Sequence, residues 1–483
     1  MRLGQTSIIH FVSRLLASAL GFVATIAIAR ILGSDTLGIY YLIISMVSWL
    51  GIAVTMGVRG AVTKRISDSE DEAAYAIAGG TISTGLFVVM SVFVLIFQQQ
   101  VNDYIGYSAA EIVILFLFVN LAQSIVNAIL NGQHLVHISG ALTPVRIGSR
   151  SIVQITALLA GVGITGLFVG YAVGYLLVSV VGLWIIARHL TGASLPLRRH
   201  YRDLISYAKY SWLGSLRSRA FNWVDIAILG FFVSSSIIGV YTAAWNIAVF
   251  LMLFGGSLSQ TLFPEMSSVS AEDDPQSAAG LFETALAYAG LILIPGLVGS
   301  SLLGEHLLRV YGEEFTQGTV VLSALIVATL IQGYQRQFTT TLNAIDRPDI
   351  AFRINTIFIV ANVTLNLGLI PFYGIIGAAV ATASSVAISL GVAYIYLSSL
   401  IDFSIPIDDI IKQWTAAGVM GVAVYIGLWL ESAYLSVNNN LAVVLTLVTL
   451  GAAVYFLVLF EISARFRTTV TDNLPSRFPL TDW

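Results

Sequence analysis

Apolar residues run through this chain in long, nearly charge-free stretches, broken at short intervals by glycine, proline and charged clusters. The stretches fall at 7–30, 37–58, 73–97, 111–130, 139–159, 164–187, 205–233, 237–262, 278–303, 319–342, 350–370, 374–400, 410–430 and 440–460. Each has about the 20 residues that a helix needs to cross the hydrocarbon core of a bilayer. The pattern predicts an all-α integral membrane protein with about fourteen transmembrane helices. No intervening segment has room for a soluble domain, because the longest connection, around Ala187 to Leu204, has fewer than twenty residues.

Composition agrees with that class: 57% of the 483 residues are hydrophobic and 10% charged, against about 25% charged in a soluble domain. The lack of cysteine excludes disulfides, thiolate metal sites and cysteine nucleophiles. The stretch from Met1 to Leu32 does not read as a cleavable signal peptide, because its apolar run is long, carries Arg14 and passes directly into further spans. Basic residues then orient the chain. With the N-terminus in the cytoplasm, fifteen of the 23 lysines and arginines, Arg59 among them, fall inside; only Arg30 and Arg309 fall outside, and six are embedded. The expectation is a multi-pass protein of the cell membrane with both termini cytoplasmic.

Two halves of the chain echo each other. Gly38-Ile39-Tyr40 opens the second predicted helix and Gly239-Val240-Tyr241 the eighth, 201 positions on. Leu130-Asn131-Gly132 closes the fourth and Leu342-Asn343-Ala344 the tenth, 212 positions on. Six helices per half is an even number, so both halves enter the membrane from the same side and the repeat is parallel. The predicted organisation is an N-terminal six-helix lobe at 1–200, a second at 201–402, and two extra helices with a cytoplasmic tail at 403–483. Parallel repeats with a substrate site between two lobes are a transporter architecture.

Several short motifs lie along this frame. Ala29-Arg30-Ile31-Leu32-Gly33 precedes Gly38-Ile39-Tyr40, Asp225 and Leu229-Gly230 precede Ile238-Gly239-Val240-Tyr241, and Leu262-Phe263-Pro264 ends a helix. The run Ile370-Pro371-Phe372-Tyr373-Gly374-Ile375-Ile376-Gly377-Ala378-Ala379-Val380-Ala381-Thr382 is the clearest of them. In this order and setting the chain resembles the polysaccharide and oligosaccharide-lipid flippases of the MOP (multidrug/oligosaccharidyl-lipid/polysaccharide) exporter superfamily. The resemblance implies a MATE-like pair of lobes around a central cavity and transport of polyprenyl-linked sugars for glycan assembly. The partners it implies are the lipid-linked oligosaccharide, membrane lipids and, as candidates, membrane enzymes of glycan assembly. The motifs themselves have structural uses. Gly33 and Gly38 flank a short turn where Ser34 or Asp35 can cap the second helix. Pro371 and Gly374 make a similar turn, and Gly377, Ala378, Ala379 and Ala381 permit close helix packing.

Candidate chemistry lies in the embedded charges. Arg14, Arg146, Arg150, Arg217, Arg219 and Arg336 sit within predicted spans, against one acid well inside a span, Asp225. An arginine facing lipid at mid-depth costs roughly 2.5–3.5 kcal/mol, so these side chains are expected to face a cavity, a partner or the interface. Arg146, Arg150 and Gln154 form one stripe at i, i+4, i+8, and His10, Arg14 and Ser18 another. Arg217 and Arg219 point about 200° apart, so at most one of them faces a cavity centre. Arg336, near a helix end, reads as a snorkelling residue. Guanidinium groups match phosphate with a fork of donors and stay protonated when desolvated. Arg14, Arg146, Arg150, Arg217 and Arg219 are therefore the candidate substrate-binding residues, for a phosphate or diphosphate headgroup. Asp225 has two readings, a proton or sodium site coupled to transport and charge balance for a nearby arginine. Gln332, Gln335, Asn355, Asn362 and Asn366 are candidates for sugar contacts or for hydrogen bonds between helices.

Other signals lead nowhere. Gly161-Val162-Gly163-Ile164-Thr165-Gly166 matches G-x-G-x-x-G but lacks a preceding strand, and no P-loop or H-E-x-x-H sequence occurs. No cofactor, metal site or nucleic-acid partner is expected. The basic cluster Arg198-Arg199-His200-Tyr201-Arg202 reads as an anchor to anionic headgroups. Two other functions compete: a multidrug or metabolite antiporter on the same scaffold, which calls for embedded acids, and a membrane glycosyltransferase or polymerase, for which Glu305, Glu313 and Glu314 are the best acids.

Overall fold

In the computed structural model the described residues are 3–55, 57–69, 71–189, 195–211, 213–272, 274–435 and 439–473. Side chains are described throughout these except at 3–12, 14, 209–211, 213–215, 217–218, 253–262, 264, 271–272, 434–435 and 473. Arg14 and Arg217, with His10 beside them in the argument, therefore carry expectations that lie outside the described side chains. Among the described residues the chain is helical throughout, with no strand.

The helices are α1 (Leu3–Thr55), α2 (Val58–Asp68), α3 (Glu72–Ile96), α4 (Gln98–Ile105), α5 (Ala110–Gly132), α6 (Val136–Leu159), α7 (Ile164–His189), α8 (Arg198–Ser211) and α9 (Leu213–Leu229). There follow α10 (Ser235–Glu272), α11 (Ala279–Ala289), α12 (Leu293–Arg309), α13 (Thr319–Ala344), α14 (Pro348–Ser398), α15 (Ile407–Leu430), α16 (Asn440–Ile462) and α17 (Ala464–Asn473). Ten helical stretches among the described residues are long and apolar enough to cross a membrane. Their outward faces carry large apolar side chains, among them Val89, Phe93 and Ile96 on α3 and Leu183 and Trp184 on α7. The chain is a multi-pass membrane protein.

Two pairs of runs predicted as separate spans each form one continuous helix that turns at a glycine. In α1 the helix breaks at Gly33 (φ 82°), and in α14 at Gly374 (φ 55°). Both residues hold a positive φ that a side chain with Cβ disfavours. The G-x-G-x-x-G match is likewise a turn, joining α6 to α7.

The chain divides into two compact units: Met1–Asn246 with Ile359–Thr382, and Ile247–Phe358 with Ala383–Trp483. In the first, Val62 and Ile66 of α2, Ile129 of α5, Val178 of α7 and Leu204 of α8 form an apolar core. In the second, Phe282, Phe338, Leu342 and Leu397 make one core, and α15 and α16 pack Met420, Leu447 and Tyr455 with Leu293 and Leu303 of α12 in another.

The repeat motif identified in the sequence is a contact point inside the first unit. A Cβ on Gly38 would collide with the Ser235 carbonyl, and one on Gly239 with the Ser34 carbonyl. Each glycine thus admits the backbone of the other half's helix start. Ser34 Oγ pairs with Ser236 Oγ at 2.6 Å, and Ser235 Oγ donates to Asp35. Gly38 was expected to shape the turn; the turn is made by Gly33, and Gly38 is where the two helix starts cross.

Candidate functional site

The site is built on α6 and α7 of the first unit. Gly166, Gly170 and Gly174 form a ridge at every fourth residue of α7, the small-residue spacing that brings helices close together. A Cβ on Gly174 would lie 2.7 Å from Arg150 Cβ and 2.9 Å from the Arg146 carbonyl, and one on Gly166 would lie 2.6 Å from Ala157 Cβ. This close approach puts the next residues of α7 beside the arginine stripe of α6. The Arg146 guanidinium lies 4.6 Å from the centre of the Tyr175 ring, and that of Arg150 lies 6.0 Å from Tyr171. A desolvated cation–π contact is worth up to about 2 kcal/mol. That offsets much of the roughly 2.5–3.5 kcal/mol an embedded arginine costs. The buried Nε atoms of both arginines have no hydrogen-bond partner among the described residues.

The tyrosines are held in turn. Tyr171 stacks on Phe116 (3.9 Å, 14°) and on Tyr175 (4.5 Å, 23°), and its hydroxyl accepts from Asn120 Nδ2 at 2.9 Å. Gln154, the third member of the stripe, donates to the Tyr40 hydroxyl (2.8 Å) and to the Leu167 carbonyl (3.0 Å).

On the other side of these tyrosines is a cavity of about 310 Å³. Its wall comes from the second half of α1, from α5, α7 and α9, and from the start of α2. It includes Arg59, Asn120, Gln123, Asn127, Tyr171, Tyr175, Arg219 and Trp223. Arg219 is braced by donation from Nη1 to the Ser48 carbonyl. No aspartate or glutamate is among the lining residues, and among the described residues neither Arg59 nor Arg219 is in an ion pair. Two positive charges therefore face one cavity without a counter-ion among the described residues.

The stripe Arg146 and Arg150 is not part of that wall; it lies behind Tyr175 and Tyr171. Arg59, expected among the cytoplasmic loop cations, is on it. The sequence signals that could have found this arrangement are the G-x-x-x-G of Gly170 and Gly174, and tyrosines at i, i+4 in register with arginines at i, i+4. Arg336 is half-buried on α13 and belongs to the second unit.

Asp225 is buried in a different part of the first unit. It is 4% exposed. It accepts hydrogen bonds from Tyr241 Oη, from Thr382 Oγ1 (2.7 Å) and from Asn366 Nδ2 (2.8 Å). Among the described residues it is in no ion pair, and the Arg219 partner considered from sequence goes to Ser48 instead. Asn362 donates to Thr382 Oγ1 at 3.1 Å, and in the second unit Gln335 donates to Ser389 Oγ at 3.1 Å. Three of the five amides considered as sugar contacts thus hold protein groups together.

Comparison with known proteins bears on this geometry. Residues 3–270 match the family described as polysaccharide biosynthesis protein. A Haloferax volcanii protein named probable flippase AglR is 31% identical over 478 residues, 98% of both chains. A second protein of that organism, named probable low-salt glycan biosynthesis flippase Agl15, is 27% identical over 87% of this chain and 89% of its own. Among solved structures, the lipid II flippase MurJ in an inward closed conformation matches with a TM-score of 0.79 at 16% identity, over 96% of this chain and 100% of that one. An inward-facing multidrug resistance MATE family transporter of the MOP superfamily matches at 0.59 and 12% identity, over 80% and 95%. At these identities the structural likeness is one of fold. With its motifs and its relatives in agreement, the chain belongs to the polysaccharide biosynthesis protein family.

Proposed function

We propose that the protein is a flippase, a transporter and not an enzyme, that moves a polyprenyl-phosphate- or diphosphate-linked oligosaccharide from the cytoplasmic to the outer leaflet. The observation that carries this reading is the acid-free cavity lined by Arg59 and Arg219. Such a wall suits an anionic headgroup and repels a cationic drug, so it favours a phosphate cargo over the antiporter alternative. The relatives named as flippases support the same direction. The acids that an enzyme reading would use are otherwise engaged: Glu305 and Glu313 both pair with Arg309, at 2.5 and 2.8 Å.

In this reading Arg14, Arg146, Arg150, Arg217 and Arg219 form the substrate region together with Arg59. Arg146 and Arg150 act through the tyrosine layer, adding positive potential to the cavity. The polyprenyl tail stays in lipid while lobes at 1–200 and 201–402 alternate access, and 403–483 adds two helices and a tail. Fourteen crossings are supported as follows. The ten apolar stretches become twelve when α1 and α14 are divided at their glycines, and α6 and α9, which are not among the ten, supply two more. Those two are the helices that bear Arg146, Arg150, Arg217 and Arg219. The positive-inside count supports cytoplasmic termini and residence in the cell membrane. The inside-negative potential then favours export, by ~2.3 kcal/mol per negative charge per 100 mV. Asp225 is the candidate proton or sodium site for coupling, with membrane enzymes of glycan assembly as candidate partners.

The test is reconstitution in vesicles with a lipid-linked oligosaccharide, scoring its accessibility to an added glycosidase on the far side. Arg59→Gln/Arg219→Gln is expected to slow transfer by about tenfold or more, the worth of one lost charge-assisted contact. An unchanged rate in that double variant removes the basis of the phosphate site.

A further inference from the structure

We infer that the same cavity reads the sugar joined to the anionic group, through an amide and hydroxyl face of α5 made by Gln123, Ser124 and Asn127. This rests on the flippase reading and adds to it a recognition element distinct from the arginines. Asn120, Gln123 and Asn127 stand at i, i+3 and i+7, one face of the helix, with Ser124 beside them. All four line the cavity. Their hydrogen-bonding states differ in an informative way. Asn120 is committed to the protein, donating to the Phe116 carbonyl (2.7 Å) and to Tyr171 (2.9 Å). Gln123 is 9% exposed, and neither it nor Ser124 has a hydrogen-bond partner among the described residues. Among the described residues Asn127 takes part only through Oδ1, which accepts from Ser139 Oγ at 3.5 Å, and its two Nδ2 protons have no partner there.

A polar side chain nine-tenths buried is ordinarily satisfied, because desolvation without a partner is costly. An unpaired amide on a cavity wall is a group waiting for a ligand. Amides offer donors and an acceptor on one plane, which suits vicinal hydroxyls or an acetamido group. They do so without the charge of a carboxylate, which would repel the phosphate on the same molecule. Trp223 and Tyr175 supply an apolar wall for the ring. A volume of about 310 Å³ is at the small end of ligand pockets, which run from ~300 to ~1,000 Å³. Recognition is therefore confined to the anionic group and the sugar nearest it, and more distant sugars of the chain go unread.

The test measures binding by the full-length protein in nanodiscs of two probes, polyprenyl phosphate and polyprenyl-phosphate-glucose. The parent protein is expected to prefer the glucose-bearing probe by about tenfold. Gln123→Met/Asn127→Leu is expected to abolish that preference while binding the bare phosphate unchanged, which also reports that the variant is folded. Asn127→Leu alone is expected to show an intermediate preference, and Arg219→Gln to weaken both probes alike. A double variant that keeps the preference overturns the inference, as does a parent protein that binds both probes equally while leaving the flippase reading in place. Failure of the parent protein to bind either phosphate overturns the flippase reading and the inference with it.

Discussion

Tyr40 and Tyr241 close the two echoed sequence motifs, 201 positions apart, and each closes a buried polar cluster of opposite character. The Tyr40 hydroxyl accepts from Gln154, one helical turn from Arg150, in a cluster rich in aromatic rings and positive charge. The Tyr241 hydroxyl donates to Asp225, with Asn366 and Thr382 completing a cage around the only buried carboxylate among the described residues. Gln154 and Asn366 are themselves 212 positions apart, the spacing of the second sequence echo. The same spacings set Arg150 against Asn362 and Asp225 against Ala24. Where one repeat carries a cation its counterpart carries a neutral amide, and where one carries an acid its counterpart carries a methyl group. The two clusters thus differ in charge, one backing the cavity and the other enclosing a carboxylate.

Substitutions in the two clusters are expected to differ in size as well as in kind. The largest effect is at the acid. Asp225→Leu strands the donors of Tyr241, Asn366 and Thr382 at about 1–3 kcal/mol each, which thermal unfolding in detergent reads as the steepest fall in midpoint of this set. Asp225→Asn keeps hydrogen-bonding capacity and should retain fold, while ion-dependent transport is lost. Transport by Asp225→Asn that responds to ion gradients as the parent does would reduce this cluster to a structural one.

Next comes the crossing that both repeats share. Gly38→Ala drives a methyl group into the Ser235 carbonyl, against backbone that cannot give way cheaply. Overpacking of this kind costs about 1–3 kcal/mol, and Gly239→Ala should cost about as much if the crossing is as symmetric as the sequence echo. Unequal losses in the same thermal assay would show that one helix start yields more readily than the other.

The last pair compares the tyrosines directly, and its smallest member is Tyr40→Phe. Tyr241→Phe removes a hydrogen bond to a carboxylate, worth about 1.5–3 kcal/mol, whereas Tyr40→Phe removes one between neutral groups, worth about 0.5–1.5 kcal/mol. The Tyr241 variant should therefore melt lower than the Tyr40 variant. Equal melting temperatures would mean that Asp225 does not meet Tyr241 as a charged acceptor.

Much of this was legible along the chain, and the reason differs by level. Hydropathy located the helices, including the turns at Gly33 and Gly374, because burial in lipid acts on each residue separately. The Gly38 and Gly239 echo was visible as a repeat, but its purpose was not, since it depends on two helix starts 201 residues apart meeting at their backbones. The excess of embedded arginines over acids was readable as well. Its assignment to particular walls was not: Arg59 was read as a loop residue, and Arg146 and Arg150 as cavity residues. Helix periodicity tells which residues share a face, but not what that face meets.

What the sequence by itself determined is the membrane-spanning helical class and the surplus of embedded arginines over acids, both local or periodic properties of the chain. The tertiary structure alone decided that tyrosines of α7 screen Arg146 and Arg150, that Arg59 and Arg219 share an acid-free cavity, and that Asp225 is held by three neutral donors. The last two depend on helices far apart in sequence; the tyrosine layer depends on the close crossing of the consecutive helices α6 and α7, set by glycines at their contact. Burial cost makes an embedded charge conspicuous in a sequence, but only packing chooses its partner.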